Sequence, residues 1–84
     1  MVQIKVFGTG CKLCEQLAED CRSLAAGMNI PATIEKVTDQ DEIFNSGVLL
    51  TPGLMLNGKL MVSGKVPMQA TLKNWIKRAA ENKL

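Results

Sequence analysis

The sequence predicts an α/β fold with the element order β-α-β-α-β-β-α, and three patterns carry this prediction. Residues 2–7 alternate between apolar and polar side chains, as a half-buried strand does. From about Cys11 to Ala26, apolar side chains recur every three or four residues, which is typical of one buried helix face. Asn57-Gly58 lies between two apolar runs and indicates a β-hairpin with a type I′ turn.

The first helix is predicted to end at Gly27, because glycine readily adopts the backbone conformation that terminates helices. The second strand is predicted over Ala32 to Val37, where β-branched residues favour an extended chain. The apolar stripe of the first helix consists of Cys14, Leu17, Ala18, Cys21, Leu24, Ala25 and Met28.

Two shorter patterns predict the remaining helices. A second helix is predicted to begin within residues 38–42, where a hydroxyl or carboxylate can cap it and acidic side chains complement its dipole. We expect this helix to bury Ile43 and Phe44 and to end at Gly47. The last helix is predicted to begin at Pro67, since proline suits the first helical position. Its apolar stripe consists of Leu72, Trp75, Ile76 and Ala79.

The composition predicts a single domain over residues 1–84 and argues against several classes of function. A net charge of +2 with 4% aromatic residues provides neither the basic surface nor the stacking platforms of nucleic-acid-binding proteins. No apolar run approaches the roughly 20 residues of a membrane span, and the N-terminal segment does not have the pattern of a signal peptide. We therefore expect a cytoplasmic protein with no nucleic-acid or membrane partner. We also expect it to be a monomer.

Cys11 and Cys14 follow the Gly8-Thr9-Gly10 turn and open the first predicted helix. At a helix N-terminus, unpaired backbone N–H groups and the positive end of the dipole favour a thiolate, and Lys12 adds a nearby cation. The i, i+3 spacing brings the two thiols near enough to form a disulfide. Because so short a disulfide loop adds little stability in the chain-entropy model, the pair indicates chemistry.

The two cysteines are predicted to have unequal roles. Cys11 is expected to be exposed and nucleophilic, and to form a mixed disulfide with a substrate. Cys14, one turn further and on the buried face, is expected to attack Cys11 and release the reduced substrate. No cofactor is expected. The alternatives are packing cysteines or part of a zinc site, although zinc takes about four ligands and the chain has no histidine and one further cysteine.

Two further residues of the first predicted helix each allow two interpretations. Cys21 is either a small buried hydrophobe or a third thiol in the redox cycle; it lies about 10–11 Å along the helix from Cys14, too far to bridge. Leu13 belongs either to an apolar patch that docks substrate or to the periphery of the core.

Four segments carry a resemblance to a known family. They are Gly8 to Cys14 after the first strand, Thr51-Pro52 before the third strand, the Asn57-Gly58-Lys59 turn, and Ser63 to Pro67 before the last helix. With these segments the chain resembles the thioredoxin superfamily, and within it the small, glutaredoxin-sized redox-active disulfide proteins of prokaryotes. The resemblance spans essentially the whole chain.

The resemblance implies a thioredoxin fold, with a four-stranded mixed sheet, a parallel first pair of strands, an antiparallel hairpin and helices on both faces. It also implies that Pro52 is cis and packs against the cysteines. By the same resemblance, the backbone of Thr51 pairs with an extended substrate segment, and Gly64 lies on the same rim. The chain departs from the family in having no proline between its cysteines, and Lys65 stands where glutaredoxins begin an acidic glutathione-binding segment.

Together these features predict a thiol–disulfide oxidoreductase that reduces protein disulfides. Its electrons are expected from a thioredoxin-reductase-type flavoprotein or another dithiol donor. The alternative is a thioredoxin-like adaptor that uses the same cysteines to bind a soft metal or metalloid, or to sense oxidation. A copper-chaperone module is a further alternative, but it requires the order β-α-β-β-α-β and has no use for Thr51-Pro52.

Overall fold

The order of helices and strands along the chain is the predicted one, β-α-β-α-β-β-α. The computed structural model describes residues 1–9 and 12–84. Its elements are β1 (Val2–Phe7), α1 (Lys12–Gly27), β2 (Ala32–Val37), α2 (Gln40–Asn45), β3 (Gly53–Leu56), β4 (Lys59–Ser63) and α3 (Gln69–Ala80). In this part of the chain, no helix combines the length and the hydropathy that crossing a membrane requires.

The four strands form one mixed sheet in the order β2-β1-β3-β4. β1 and β2 are parallel, whereas β3 is antiparallel to both β1 and β4, so the predicted mixed sheet is confirmed. The β3–β4 turn has positive φ at both Asn57 (50°) and Gly58 (84°), as a type I′ turn requires.

The register between β1 and β3 decides where the connecting loops lie. Phe7, the last residue of β1, pairs with Gly53, the first residue of β3. Because the two strands are antiparallel, the segment that leaves β1 and the segment that enters β3 meet at the same end of the sheet. The segment after β1 leads to the two cysteines, and the segment before β3 contains Thr51-Pro52.

Consecutive β1 residues face opposite sides of the sheet and belong to two different cores. Val6 packs with α1 and α3 in the larger core, while Phe7 packs with Ile43 and Val48 on the opposite face. Helices therefore cover both faces, as expected. The buried residues of the larger core are Val2, Ile4, Val6, Leu17, Ala18, Cys21, Ala25, Leu54, Leu56, Val62, Leu72, Ile76 and Ala79.

Gly27 does not have the predicted role of adopting the backbone conformation that terminates α1. Gly27 is the last helical residue, and the left-handed residue that ends the helix is Asn29, with φ 55°. The Ile30 N–H donates to the Ala25 carbonyl (2.9 Å), and the Asn29 N–H donates to the Ala26 carbonyl (3.1 Å). This pair of bonds is a Schellman motif, in which asparagine replaces the usual glycine.

Helix α2 is capped as predicted but buries less than predicted. The Asp39 carboxylate accepts hydrogen bonds from the N–H groups of Asp41 (2.8 Å) and Glu42 (3.3 Å). Ile43 is buried, but Phe44 is 82% exposed, so its predicted burial is wrong. Ile43 packs with Phe7, Val37 and Val48, whereas Phe44, about 100° further round the helix, lies outside this cluster.

The start of α3 also differs from the prediction. The helix begins at Gln69, and Pro67 is a buried residue that precedes it. Met68 has an extended backbone (φ −63°, ψ 149°), so the first helical hydrogen bond runs from the Leu72 N–H to the Met68 carbonyl, at 2.9 Å. Proline fixes only its own φ, and tertiary packing decides where the helical hydrogen bonds begin.

We expect Gly27→Ala to stabilise the protein by about 0.5–1 kcal/mol, because alanine restricts the unfolded chain and suits a helix. A Cβ atom at position 27 would meet no atom within 4 Å. Urea unfolding would show a higher midpoint at an unchanged slope.

Gly47→Ala is the matched control, because a Cβ atom there also meets nothing within 4 Å but the backbone has φ +90°. This variant should lose about 1–2 kcal/mol, the cost of a left-handed residue with a side chain. Equal effects of the two substitutions would contradict this account.

Candidate functional site

Cys14 lies in the first turn of α1 on its buried side, with 5% of its surface exposed. The helix begins at Lys12, the residue after Cys11 in the sequence. Cys11 itself lies outside the described residues, so its exposure and its pairing with Cys14 stay predictions. The predicted apolar face of α1 is confirmed, since Leu17, Ala18 and Cys21 are buried on the same side as Cys14.

Gly8 brings Cys14 together with the loop before β3. Its N–H donates to the Val37 carbonyl (3.0 Å), which extends the pairing of β1 with β2 by one residue. A Cβ atom at position 8 would overlap the Cys14 Sγ and would lie 3.8 Å from the Thr51 Cβ. Only glycine therefore lets the thiol approach the sheet at this position. The sequence pattern identified Gly8 only as part of the turn before the cysteines and did not predict this contact.

The Thr51–Pro52 peptide bond is cis, and the two residues differ in exposure. Pro52 is buried, whereas Thr51 is exposed. The Pro52 carbonyl accepts a hydrogen bond from the Gly64 N–H at 2.8 Å. Gly64 has φ +93°, a conformation that residues with side chains rarely adopt. The loop before β3 is thereby attached to the chain that leaves β4, so Thr51, Pro52 and Gly64 lie together.

Apolar side chains are exposed on the loop before β3 and at the start of α1. Leu49 and Leu50 precede Thr51 and are 89% and 65% exposed. Leu13, between the two cysteines in sequence, is 55% exposed and therefore does not belong to the core. Exposed leucines in a site region favour contact with an apolar partner surface.

Charged residues border Cys14 on the β2 side. The Lys36 Nζ lies 2.6 Å from the Glu15 Oε2, in an ion pair that joins β2 to α1. Both side chains are exposed, so the pair contributes at most about 1 kcal/mol. Lys12 is also exposed. A cavity of about 10 Å³, with room for about one water molecule, is lined by Val6, Gly8, Cys14, Glu15, Lys36 and Thr38.

Cys21 is a free thiol that is fully buried in the larger core. Burial raises the pKa of this thiol to about 12, and the negative charge of Asp20 acts in the same direction. A thiol with so high a pKa forms almost no thiolate at neutral pH, and the thiolate is the reactive form. The environment of Cys21 therefore favours the interpretation as a small buried hydrophobe.

Within residues 1–9 and 12–84, no group of three or more histidine, cysteine, aspartate or glutamate side chains could hold a metal ion. This finding does not extend to a site that includes Cys11.

Comparison with known proteins gives one consistent family. Residues 2–77 match the family model described as Thioredoxin domain. A thioredoxin from Methanocaldococcus jannaschii is 37% identical over 83 residues, which cover 99% of this chain and 95% of the relative. A thioredoxin from Methanothermobacter thermautotrophicus is 33% identical over 52 residues, which cover 62% of this chain and 68% of that relative.

We expect Gly8→Ala to destabilise the protein by about 1–3 kcal/mol. The new methyl group would overlap the Cys14 Sγ, so the Cys14 side chain or the backbone around Gly8 would have to shift. The test is a double-mutant cycle with Cys14→Ala, measured by urea unfolding. Removing Sγ takes away the closest obstacle, so Gly8→Ala should cost less in the Cys14→Ala background. Strictly additive effects would show that the Gly8–Cys14 contact does not limit this position.

Stability should fall between about pH 9 and pH 12 because of Cys21. The folded-state pKa of about 12 lies above the ordinary value of 9.0, so over this range the unfolded chain loses the thiol proton first. The free energy of unfolding then decreases by up to about 1.4 kcal/mol per pH unit, and below pH 9 the effect vanishes.

Cys21→Ala and Cys21→Val remove the titrating thiol with side chains of different size. Urea unfolding of both variants should show a flatter decline from pH 9 to 10.5 than the wild type shows. A wild-type decline parallel to both variants would contradict the assignment to Cys21.

Proposed function

The chain belongs to the thioredoxin family and is a thiol–disulfide oxidoreductase, and we propose that it reduces protein disulfides through Cys11 and Cys14. One observation carries this proposal. Cys14, in the first turn of α1, is packed against Gly8, and Gly8 in turn lies beside Thr51 of the loop before β3. Cys14 and the Thr51-Pro52 loop, which are distant in the sequence, therefore lie close together, and this proximity supports a common site.

The proposed cycle transfers two electrons to the substrate. The Cys11 thiolate attacks one sulfur of a substrate disulfide, which forms a Cys11–substrate disulfide and releases the other substrate sulfur as a thiolate that takes up a proton. The Cys14 thiolate then attacks the Cys11 sulfur, and the second substrate sulfur leaves and is protonated. The products are a substrate dithiol and a Cys11–Cys14 disulfide.

The different surroundings of the two cysteines support the order of attack. α1 begins at the residue after Cys11, and the free N–H groups of a helix N-terminus stabilise a thiolate. Exposed Lys12 adds a positive charge on the first helical residue. Cys14 is buried and therefore sheltered from large substrates, which suits a thiol that acts on an already formed mixed disulfide.

The substrate is proposed to bind along the rim where Thr51 and Gly64 are exposed and Pro52 is buried beneath them. Among the described residues, hydrogen bonds hold Leu50 and Pro52 on either side of Thr51, and none involves the Thr51 backbone. That backbone can therefore pair with an extended peptide as an added strand would. Exposed Leu13 adds apolar contact area beside the cysteines.

The cycle requires a partner that reduces the Cys11–Cys14 disulfide. We propose a dithiol donor such as a thioredoxin-reductase-type flavoprotein, acting by the same exchange chemistry in the opposite direction. A reductant of protein disulfides is useful where the thiol pool is kept reduced, so we place the protein in the cytoplasm. We further propose that it acts as a monomer and as one domain.

Cys14→Ser should trap mixed disulfides at Cys11, because the thiol that resolves them is missing. The measurement is mass spectrometry under non-reducing conditions, after the variant has been incubated with insulin whose disulfides are intact. Cys11→Ser should reduce insulin at no more than the background rate of the dithiol reductant. Cys21→Ala is the matched control, and we expect it to retain wild-type turnover because this thiol is buried and protonated.

Alkylation at pH 6–7 gives a second test of the roles, since the more acidic thiol reacts first. Preferential modification of Cys14 would reverse the assignment. A wild-type protein that turns over neither insulin nor a small disulfide, yet binds Cu(I) or Zn(II) tightly, would replace the proposal by the metal-binding alternative.

A further inference from the structure

The hydroxyl of Ser63, the last residue of β4, holds both backbone polar groups of Leu50. Its Oγ accepts a hydrogen bond from the Leu50 N–H at 3.1 Å and donates one to the Leu50 carbonyl at 2.8 Å. Leu50 lies outside the sheet, so the side chain of Ser63 makes the bonds that a neighbouring strand would otherwise provide. The residue thereby joins the edge of the sheet to the loop before β3.

Gly64, the residue after Ser63, completes the attachment of the loop before β3. A Cβ atom at Gly64 would lie 3.0 Å from the Leu50 Cβ, so the Leu50 side chain rests directly on the Gly64 backbone. The Gly64 N–H also donates to the Pro52 carbonyl at 2.8 Å. Leu50 nevertheless remains 65% exposed. One side of this leucine is fixed against the protein and the other side is open to a partner.

These contacts hold the chain on both sides of Thr51. The backbone groups of Leu50 are bonded by Ser63, and the Pro52 carbonyl is bonded by the Gly64 N–H. Among the described residues, no hydrogen bond involves the N–H or C=O of exposed Thr51. The Thr51 backbone therefore stays available for a peptide, while both neighbouring residues are held in place.

We propose that Ser63 is a positioning residue for protein substrates. By holding the Leu50 backbone, its hydroxyl presents the Thr51 backbone and the exposed side of Leu50 to an extended peptide segment with an apolar side chain. The inference rests on the proposed reduction of protein disulfides. Among the described residues, the side-chain hydrogen bonds of Ser63 go to Leu50, so we expect it to act on substrate binding and to leave the thiol chemistry unchanged.

Ser63→Ala should raise the KM for insulin by about three- to ten-fold, the effect of losing one or two hydrogen bonds that order the binding loop. The kcat for insulin should stay within about two-fold of the wild type. Reduction of dithiobis(nitrobenzoate), a small disulfide that needs no peptide pairing, should be unchanged. Amide hydrogen exchange at Leu50 should become faster, because its N–H loses its acceptor.

Ser63→Thr and Ser63→Val form a matched pair that differs only in a hydroxyl against a methyl group, and both residues suit a strand. The threonine variant should keep the wild-type KM for insulin, and the valine variant should show the raised KM. This pair also decides the question if Ser63→Ala does not fold. Ile76→Val, a buried α3 substitution, controls for a general loss of stability and should leave the KM unchanged.

Three results would overturn the inference while leaving the proposed function intact. They are an unchanged insulin KM in both the alanine and valine variants, an equal loss with the small disulfide, or the same KM increase in Ile76→Val. A wild-type protein that reduces neither insulin nor the small disulfide would instead refute the proposed function and this inference together.

Discussion

The antiparallel register of β1 with β3 is the constraint on which the site depends. Pairing of Phe7 with Gly53 places the end of one strand beside the start of the other. Gly8 then lies between Cys14 and Thr51, where it has room for no side chain. A shift of one residue in this register would exchange the two faces of the strand and move Cys14 away from the loop before β3.

The proposed site combines a buried interior with an exposed rim. Cys14 and Pro52 are buried, whereas Leu50 and Thr51 are accessible although the loop that carries them is held by hydrogen bonds. A binding edge that is ordered before the substrate arrives loses less conformational entropy on binding. In a small domain with a modest core, such local hydrogen bonds can order a loop without additional secondary structure.

Local patterns predicted most of the fold because they report interactions within one element. Asn57-Gly58 specified its turn through backbone conformation alone, and the apolar stripe of α1 identified the helix and its buried face. The errors fall where the local pattern allows more than one outcome. Asn29 rather than Gly27 is the left-handed residue that closes the end of α1, and Phe44 stays exposed because Ile43 alone of the two packs in the smaller core.

The sequence by itself determined the order of elements, the thioredoxin resemblance and the candidate residues Cys11, Cys14, Thr51 and Pro52, since spacing along one chain is enough to reveal them. Only the tertiary structure showed that Gly8 must lack a side chain because of Cys14, and that Ser63 holds Leu50. Both contacts join residues from different parts of the chain, and they depend on strand register and on how α1 and the loop before β3 pack at the end of the sheet, which no local pattern in either segment encodes.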